Sequence, residues 1–171
     1  MPKALAALVL ALFLFPPAGR PAAPDRSAEG FRVRDVLPAE GLIASSVVAI
    51  PDPSALDAHY YLADETVLGL GRGTDAVLAR YKSGSGEALV LAAAYPAARD
   101  IATIYARFGS DFFSDKFEAG SSLYLERLET GDWGAAARTG RVLVVVLEAP
   151  DRAGCDSLLR RLLEKALAAG R

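Results

Sequence analysis

The amino-acid sequence predicts an α+β domain built on an antiparallel sheet, with helices packed on one face. Three observations lead to this fold class. Short alternating or wholly apolar stretches are separated by glycine-containing turns, as in antiparallel strands. Two longer stretches carry apolar residues at helical spacing. Their order, strand–strand–helix and then strand–strand–strand–helix, is typical of such a sheet and indicates two loosely related ββα and βββα units.

The first strands that the sequence predicts are short. Residues 45–50 (SSVVAI) are rich in β-branched side chains, and Pro51 stops them. Residues 59–62 (HYYL) and 66–70 (TVLGL) are two further candidates of the same kind. These segments predict the beginning of the sheet.

The clearest pattern is a hairpin followed by a helix. Residues 75–82 (DAVLARYK) alternate, residues 83–86 (SGSG) form a turn, and residues 87–94 (EALVLAAA) form an apolar strand. A helix is predicted to open at Pro96, where the missing N–H costs nothing. Its apolar stripe consists of Ile101, Ile104, Tyr105, Phe108 and Phe112.

The second half repeats this arrangement with one more strand. Strands are predicted at residues 122–128, 133–139 and 141–148, the last of them almost wholly apolar, as in a strand that is covered on both faces. The final helix is predicted over residues 152–168, with a leucine-rich stripe.

The first 23 residues predict a secretory signal peptide. Lys3 is followed by twelve apolar residues, Ala4 to Phe15, and by small residues up to Ala23. The apolar run would span only about 18 Å as a helix, short of the roughly 30 Å of a bilayer core. Residues 24–30 form a flexible leader, and residues 31–169 form a single domain. Two cleavage positions compete, after residue 19 and after residue 23.

Cysteine usage and charge exclude several classes of protein. Cys155 is the only cysteine, so the chain has neither an internal disulfide nor the lipid attachment site of a lipoprotein. Removal of residues 1–23 lowers the basic count from 19 to 17 while all 21 acids remain, so the net charge is about −4. This balance gives no reason to expect nucleic acid or an anionic membrane as a partner. Membrane association is expected only if the N-terminal segment is not cleaved.

The glycine-rich stretch at residues 69–75 (GLGRGTD) resembles a phosphate-binding loop only superficially. A dinucleotide fingerprint needs G-x-G-x-x-G opening a helix, whereas Thr74 occupies the third glycine position and a strand follows. No Gly-Lys-Ser/Thr occurs either. The stretch predicts a turn that needs positive φ angles, and no cofactor is expected.

No catalytic or metal-binding constellation can be assembled from the sequence. His59 is the only histidine and has no cysteine nearby, which is too little for a zinc site. No G-x-S-x-G elbow presents a serine, and Ser85 lies in hairpin-turn composition. We therefore predict no catalytic residues and no metal.

Four residues are weak candidates for a binding site: His59, Trp133, Phe113 and Phe117. Phe113 and Phe117 leave the helical stripe and could mark a partner surface, while Trp133 follows a turn and either stacks on a ligand or closes the core. Cys155 begins the last helix and is predicted to face the core rather than act as a thiolate. The carboxylates, among them Asp111, Asp115, Glu118, Glu126 and Glu129, are interpreted as a solvated face.

Several short motifs resemble one bacterial family. They are Val36-Leu37-Pro38, Tyr60-Tyr61-Leu62, Ala94-Tyr95-Pro96 and the pattern of Trp133, Gly140-Arg141 and Val144-Val145-Val146. With strand 75–81, they resemble an uncharacterised exported bacterial family, domain of unknown function 6599, over about residues 31–167. The resemblance implies export and a single α+β domain, and it carries over no catalytic residue.

Three hypotheses about function remain open at this point. The first is an exported, periplasmic or secreted, non-enzymatic module that binds an envelope protein or a small ligand. The second is an envelope enzyme whose carboxylates meet only in the fold, with His59 or Glu126 as acid or base. The third is a membrane-tethered accessory subunit that keeps residues 4–15.

Overall fold

The computed structural model describes residues 31–64, 66–84, 86–97 and 99–169. The predicted signal peptide and leader therefore lie outside the described residues, as does Ser85. None of the helices in the described ranges combines the length and the apolar character that a membrane crossing requires.

The described chain forms six strands and three α-helices. The first half contains β1 (Val48–Ala49), α1 (Pro53–Asp57), β2 (Asp75–Ser83), β3 (Gly86–Ala94) and α2 (Ile101–Phe112). The second half contains β4 (Leu123–Arg127), β5 (Trp133–Thr139), β6 (Val142–Ala149) and α3 (Arg152–Ala169). Two short 3₁₀ turns, Val33–Val36 and Ala44–Ser46, precede β1.

The six strands form one antiparallel sheet in the order β1-β2-β3-β6-β5-β4. The last strands of the two halves, β3 and β6, pair at its centre, with Leu91 opposite Val145. Each half therefore contributes three strands and ends in a longer helix. The α+β class and the antiparallel sheet are confirmed, and with β1 and α1 the first half is a βαββα unit rather than the predicted ββα unit.

The helices cover both faces of the sheet, which corrects the prediction that they share one face. Strand residues such as Val77 and Val144 pack with Leu159 of α3 in one core. Their neighbours Leu78 and Val145 pack on the opposite face in a second core, which contains Phe108 of α2. Strands that are apolar on both sides, like β3 and β6, need cover on both faces, and one helix on each face provides it.

Two predicted strands near the start of the chain do not form. Tyr60-Tyr61-Leu62 is irregular chain after α1, and residues 66–68 form a turn. Their apolar residues, among them Leu62, Val67 and Leu68, are buried against the α2 face instead of pairing in the sheet. Burial, rather than strand pairing, accounts for the apolar pattern that predicted them.

The helix after β3 begins five residues later than predicted. Asp100 is its N-cap, and one carboxylate oxygen accepts hydrogen bonds from the backbone N–H groups of Ala102 (3.0 Å) and Thr103 (3.3 Å). Pro96 lies in the preceding turn, where its carbonyl accepts from the Arg99 N–H. A side-chain cap satisfies backbone donors that a proline cannot, so the helix starts at the aspartate.

Candidate functional site

His59 and Trp133 lie in different parts of the molecule. His59 is exposed in the turn after α1, and its backbone N–H donates to the Leu56 carbonyl. Trp133 is half-buried at the start of β5, where its ring packs on the α3-side core and lies 5.6 Å from the Arg152 guanidinium carbon. Arg152 covers the ring, so Trp133 closes one end of the core.

Cys155 belongs to the same core. It is fully buried in the first turn of α3, and its thiol faces the Trp133 carbonyl at 3.8 Å. Burial, together with the nearby carboxylates of Asp156 and Asp151, raises the pKa of the thiol to about 12. The burial of Cys155 confirms the prediction that it is a core side chain. The raised pKa is consistent with a protonated thiol rather than a thiolate.

Phe113 and Phe117 belong to an aromatic cluster on the α2 face. The cluster, as named here, consists of Tyr105, Phe108, Phe112, Phe113, Phe117 and Tyr124. Adjacent rings are 4.9 to 6.1 Å apart, the spacing at which offset and edge-to-face pairs attract. Phe113 is buried and Phe117 is half-buried. Both rings are packed, so neither is an open docking surface.

A groove lies beside this cluster, at the C-terminal end of α2. Two cavities of about 350 and 150 Å³ form it, and both are lined by Tyr60, Asp111 and Phe112. Its walls are residues 60–64 after α1, the end of α2 with residues 113–114, and residues 126–130 of the β4–β5 hairpin. We refer to it as the α2-end groove. It unites three segments that are far apart in the sequence.

Glu126 holds one wall of the groove in place. Its carboxylate accepts hydrogen bonds from the backbone N–H of Ser114, from the Ser114 hydroxyl at 2.7 Å and from the Tyr124 hydroxyl at 3.0 Å. Burial raises the pKa of this carboxyl, but these hydrogen bonds outweigh it and, with nearby Lys116, hold the pKa below its ordinary value. Glu126 therefore ties the chain after α2 to β4.

The hydrogen bonding of Glu126 does not suit a general acid. An acid or base works best with a pKa near the working pH and with an oxygen directed at the substrate. Here both oxygens are engaged within the protein, and the pKa is shifted away from neutrality. Asp111 and Glu129 line the same cavity but are exposed. Within the described ranges, no group of three or more histidine, cysteine, aspartate and glutamate side chains is placed to hold a metal.

Negative charge dominates the larger cavity of the groove. Among the described residues that line it, Asp111, Glu126 and Glu129 are acidic and Arg127 alone is cationic. The Arg127 Nε donates to the Gly131 carbonyl at 3.1 Å. Nearby Tyr60 is affected as well. Burial and the carboxylates of Glu148 and Asp132 raise the pKa of its phenol to about 12.

The smaller cavity is closer to charge balance. Asp64 forms an ion pair with Arg107, at 2.7 Å between Oδ2 and Nη2. Hydrogen bonds from Thr66 and then the pairing with Arg107 lower the pKa of Asp64. Within the described residues, Asp111 and Glu129 are therefore the carboxylates of the groove that neither a salt bridge nor a hydrogen bond engages. Asp111 also lines the smaller cavity together with the exposed Tyr61.

A second, more open groove of about 550 Å³ runs between β4 and α3. Its charges are largely satisfied, since Arg160 pairs with Asp156 at 2.9 Å and Arg152 lies over Trp133. The Ser121 hydroxyl also occupies part of the β4 edge, donating to the Leu123 carbonyl (2.6 Å) and accepting from its N–H (3.3 Å). This groove therefore offers a ligand fewer unpaired charged groups than the α2-end groove does.

The glycine-rich stretch is a turn, as predicted. Gly69, Gly71 and Gly73 have φ angles of 57°, 140° and 81°, and β2 follows directly at Asp75. Gly69 faces the Ile104 side chain of α2, and Gly73 faces the Pro96 ring. The stretch packs against α2 and leads into a strand, so it provides no helix N-terminus that could bind a phosphate.

Sequence reasoning missed most of the groove. The sequence pattern predicts a strand for Tyr60 and Tyr61, a core stripe for Phe112 and a solvated face for Asp111 and Glu129. The adjacent tyrosines are the one local feature that points to aromatic surface here. The rest depends on how the three segments meet.

No family model, curated protein or solved structure matches the chain. The resemblance to the exported bacterial family remains a prediction.

Proposed function

We propose that the chain is an exported, non-enzymatic binding module of the cell envelope, and that its ligand or partner binds in the α2-end groove. One observation carries the proposal. The groove brings together exposed aromatic surface and unbalanced carboxylates, and it has room for a side chain or a small ligand. The described residues expose two large apolar side chains, Tyr61 (77 %) and Leu167 (46 %), and Tyr61 lines the groove.

The signal-peptide pattern is the reason for proposing a compartment outside the cytoplasm. The basic start, twelve-residue apolar run and small residues of positions 1–23 match a secretory signal peptide. A partner in the periplasm, or one outside the cell, follows from this expectation. The hydrogen bonding of Glu126 favours binding over catalysis, because its carboxylate is engaged in holding the groove together.

Site-specific photo-crosslinking in the native host tests the proposal. The full-length precursor would carry a benzophenone amino acid at position 61 or, as the matched control, at position 167, the other exposed apolar side chain. We expect a discrete crosslinked species from position 61 and none from position 167. Equal crosslinking from both positions, or none from position 61, would contradict a role for the groove.

The N-terminus of the recovered protein tests export separately. We expect it to begin between about residues 20 and 29, the region that follows the apolar run. An intact N-terminus would instead support a tethered subunit that keeps residues 4–15.

A further inference from the structure

The charges of the α2-end groove call for a positively charged ligand. Asp111 and Glu129 are exposed along the larger cavity, and no salt bridge within the described residues involves either one. Arg127 is already oriented by the Gly131 carbonyl. A cation in this cavity would meet an excess of negative charge, whereas an anion would be repelled.

The aromatic walls favour the same ligand. Within the described ranges, guanidinium groups lie over two rings, with Arg152 over Trp133 and Arg138 over Tyr105, each at 5.6 Å. The rings of Tyr60, Tyr61 and Phe112 line the groove without such a contact. An aromatic face beside carboxylates attracts an organic cation through the ring quadrupole and through its charge.

One end of the groove already shows how it holds a guanidinium. Arg107 extends from α2 to Asp64, and the same Nη2 lies 3.4 Å from the Thr66 hydroxyl. Asp111 lies one helical turn beyond Arg107 on α2, and within the described residues no salt bridge engages its carboxylate. The groove therefore holds one paired carboxylate, Asp64, and one carboxylate outside any salt bridge of the described residues, Asp111.

The shape of the groove indicates a peptide segment rather than a small molecule. Sites for small molecules usually bury most of their ligand. Here two adjoining cavities share three lining residues, and both are partly open to solvent. An extended segment with a basic side chain next to an apolar one can place adjacent side chains in the two cavities.

We infer that the α2-end groove binds an extended protein segment that presents a lysine or arginine beside an apolar side chain. This inference rests on the proposed function. The cation lies between Asp111 and Glu129, and the apolar neighbour packs on the rings of Tyr61 and Phe112.

Panning of a phage-displayed library of random heptapeptides on the full chain tests the inference. We expect the enriched peptides to share a lysine or arginine next to an aliphatic or aromatic residue. The best peptide should bind about tenfold more weakly to the Asp111→Asn/Glu129→Gln variant, because two carboxylates are neutralised. Raising the salt concentration from about 50 to about 500 mM should also weaken binding severalfold.

A charge-matched control separates the groove from the overall charge of the protein. Glu87→Gln/Glu164→Gln removes the same two charges from exposed positions on β3 and α3 that do not line the groove. This variant should bind the peptide with less than a twofold change. Equal losses in the two double variants would overturn the inference.

The outcomes also distinguish the inference from the proposed function. If the enriched peptides were neutral or acidic and bound Tyr61→Ala more weakly, the inference of a cationic ligand would be overturned. The groove would still be the binding site. Peptides insensitive to both Tyr61→Ala and Asp111→Asn/Glu129→Gln, or no enrichment at all, would overturn both.

Discussion

The two faces of the sheet differ in the side chains that cover them. On one face, α3 is eighteen residues long and packs its leucines on strand residues that are mostly valine and alanine. On the other face, α2 is twelve residues long, and aromatic rings and the turns of residues 62–64 and 66–70 complete the cover. The α2-end groove opens where α2 ends and the rings begin.

This difference shows how side-chain size changes the way in which a face is covered. Small side chains such as Ala79 and Ala135 let a long helix lie flat and close to the strands. Rings such as Phe112 and Phe113 meet edge to face and leave clefts at the border of their cluster. Both faces therefore stabilise the fold. The open groove on the α3 side lies between α3 and β4, whereas the α2-end groove lies at the border of the aromatic cluster.

The largest expected effects come from removing a fully buried side chain on each face. Phe108→Ala should lower the free energy of unfolding by about 3–5 kcal/mol, and Leu159→Ala by about 2–5 kcal/mol, because each leaves a cavity. Urea denaturation measures both. Phe108→Ala should also weaken peptide binding, since its ring stacks on Phe112 at 4.9 Å. Leu159→Ala should leave peptide binding unchanged. A loss of binding in that variant would contradict the difference between the two faces.

The next effect concerns crowding on the α2 face. In Gly134→Ala the new methyl group would meet Leu128 at 2.9 Å and Phe112 at 3.1 Å. We expect a destabilisation of about 1–3 kcal/mol in thermal unfolding. Gly120→Ala is the control, because no heavy atom lies within 4 Å of its new Cβ. Equal melting temperatures for the two variants would show that the α2 face tolerates added volume.

A somewhat smaller effect is expected where the glycine-rich segment is attached. The Tyr95 hydroxyl donates a buried hydrogen bond of 2.7 Å to the Leu68 carbonyl. Tyr95→Phe leaves that carbonyl unpaired and should cost about 1–2 kcal/mol in urea denaturation. Tyr61→Phe, whose ring is 77 % exposed, should cost nothing measurable. If Tyr95→Phe left the free energy of unfolding unchanged, water would replace the hydroxyl and packing alone would hold the segment.

The smallest effect is the response of the α2 cap to acid. Hydrogen bonds from the Thr103 side chain and backbone, and then from Ala102, lower the pKa of Asp100. Because the folded pKa lies below the unfolded one, the carboxylate stabilises the fold above the unfolded pKa. That contribution is lost as the pH falls through the folded pKa. Asp100→Asn should therefore lose less stability on acidification than the unmodified chain. Identical acid slopes in melting temperature would contradict this account.

Local patterns in the sequence predicted much of the fold. The β2–β3 hairpin, β5, β6 and α3 were placed within about two residues, because alternation, turn residues and leucine spacing are local signals. The predicted strands at residues 59–62 and 66–70 were wrong, because burial against α2 produces the same apolar pattern as pairing. Helices on both faces follow from the apolar strands β3 and β6, but only once their pairing at the centre is known.

The candidate site was less predictable than the fold. Of the four residues singled out, Phe113 lines the groove, while His59 and Trp133 lie elsewhere. Phe117 packs over Gly109 within the aromatic cluster. Asp111 and Glu129 are eighteen positions apart and give no local sign that they share a cavity. Only the turn after α2, held by Glu126, brings their segments together.

The central claim is that the α2 face, rather than the α3 face, carries the binding surface. Nuclear magnetic resonance titration of the ¹⁵N-labelled chain with the strongest heptapeptide tests it most directly. We expect amide shift changes confined to residues 60–64, 108–114 and 126–130, the three walls of the groove. Shift changes centred on α3 and the β4 edge would contradict the account and place binding in the second groove.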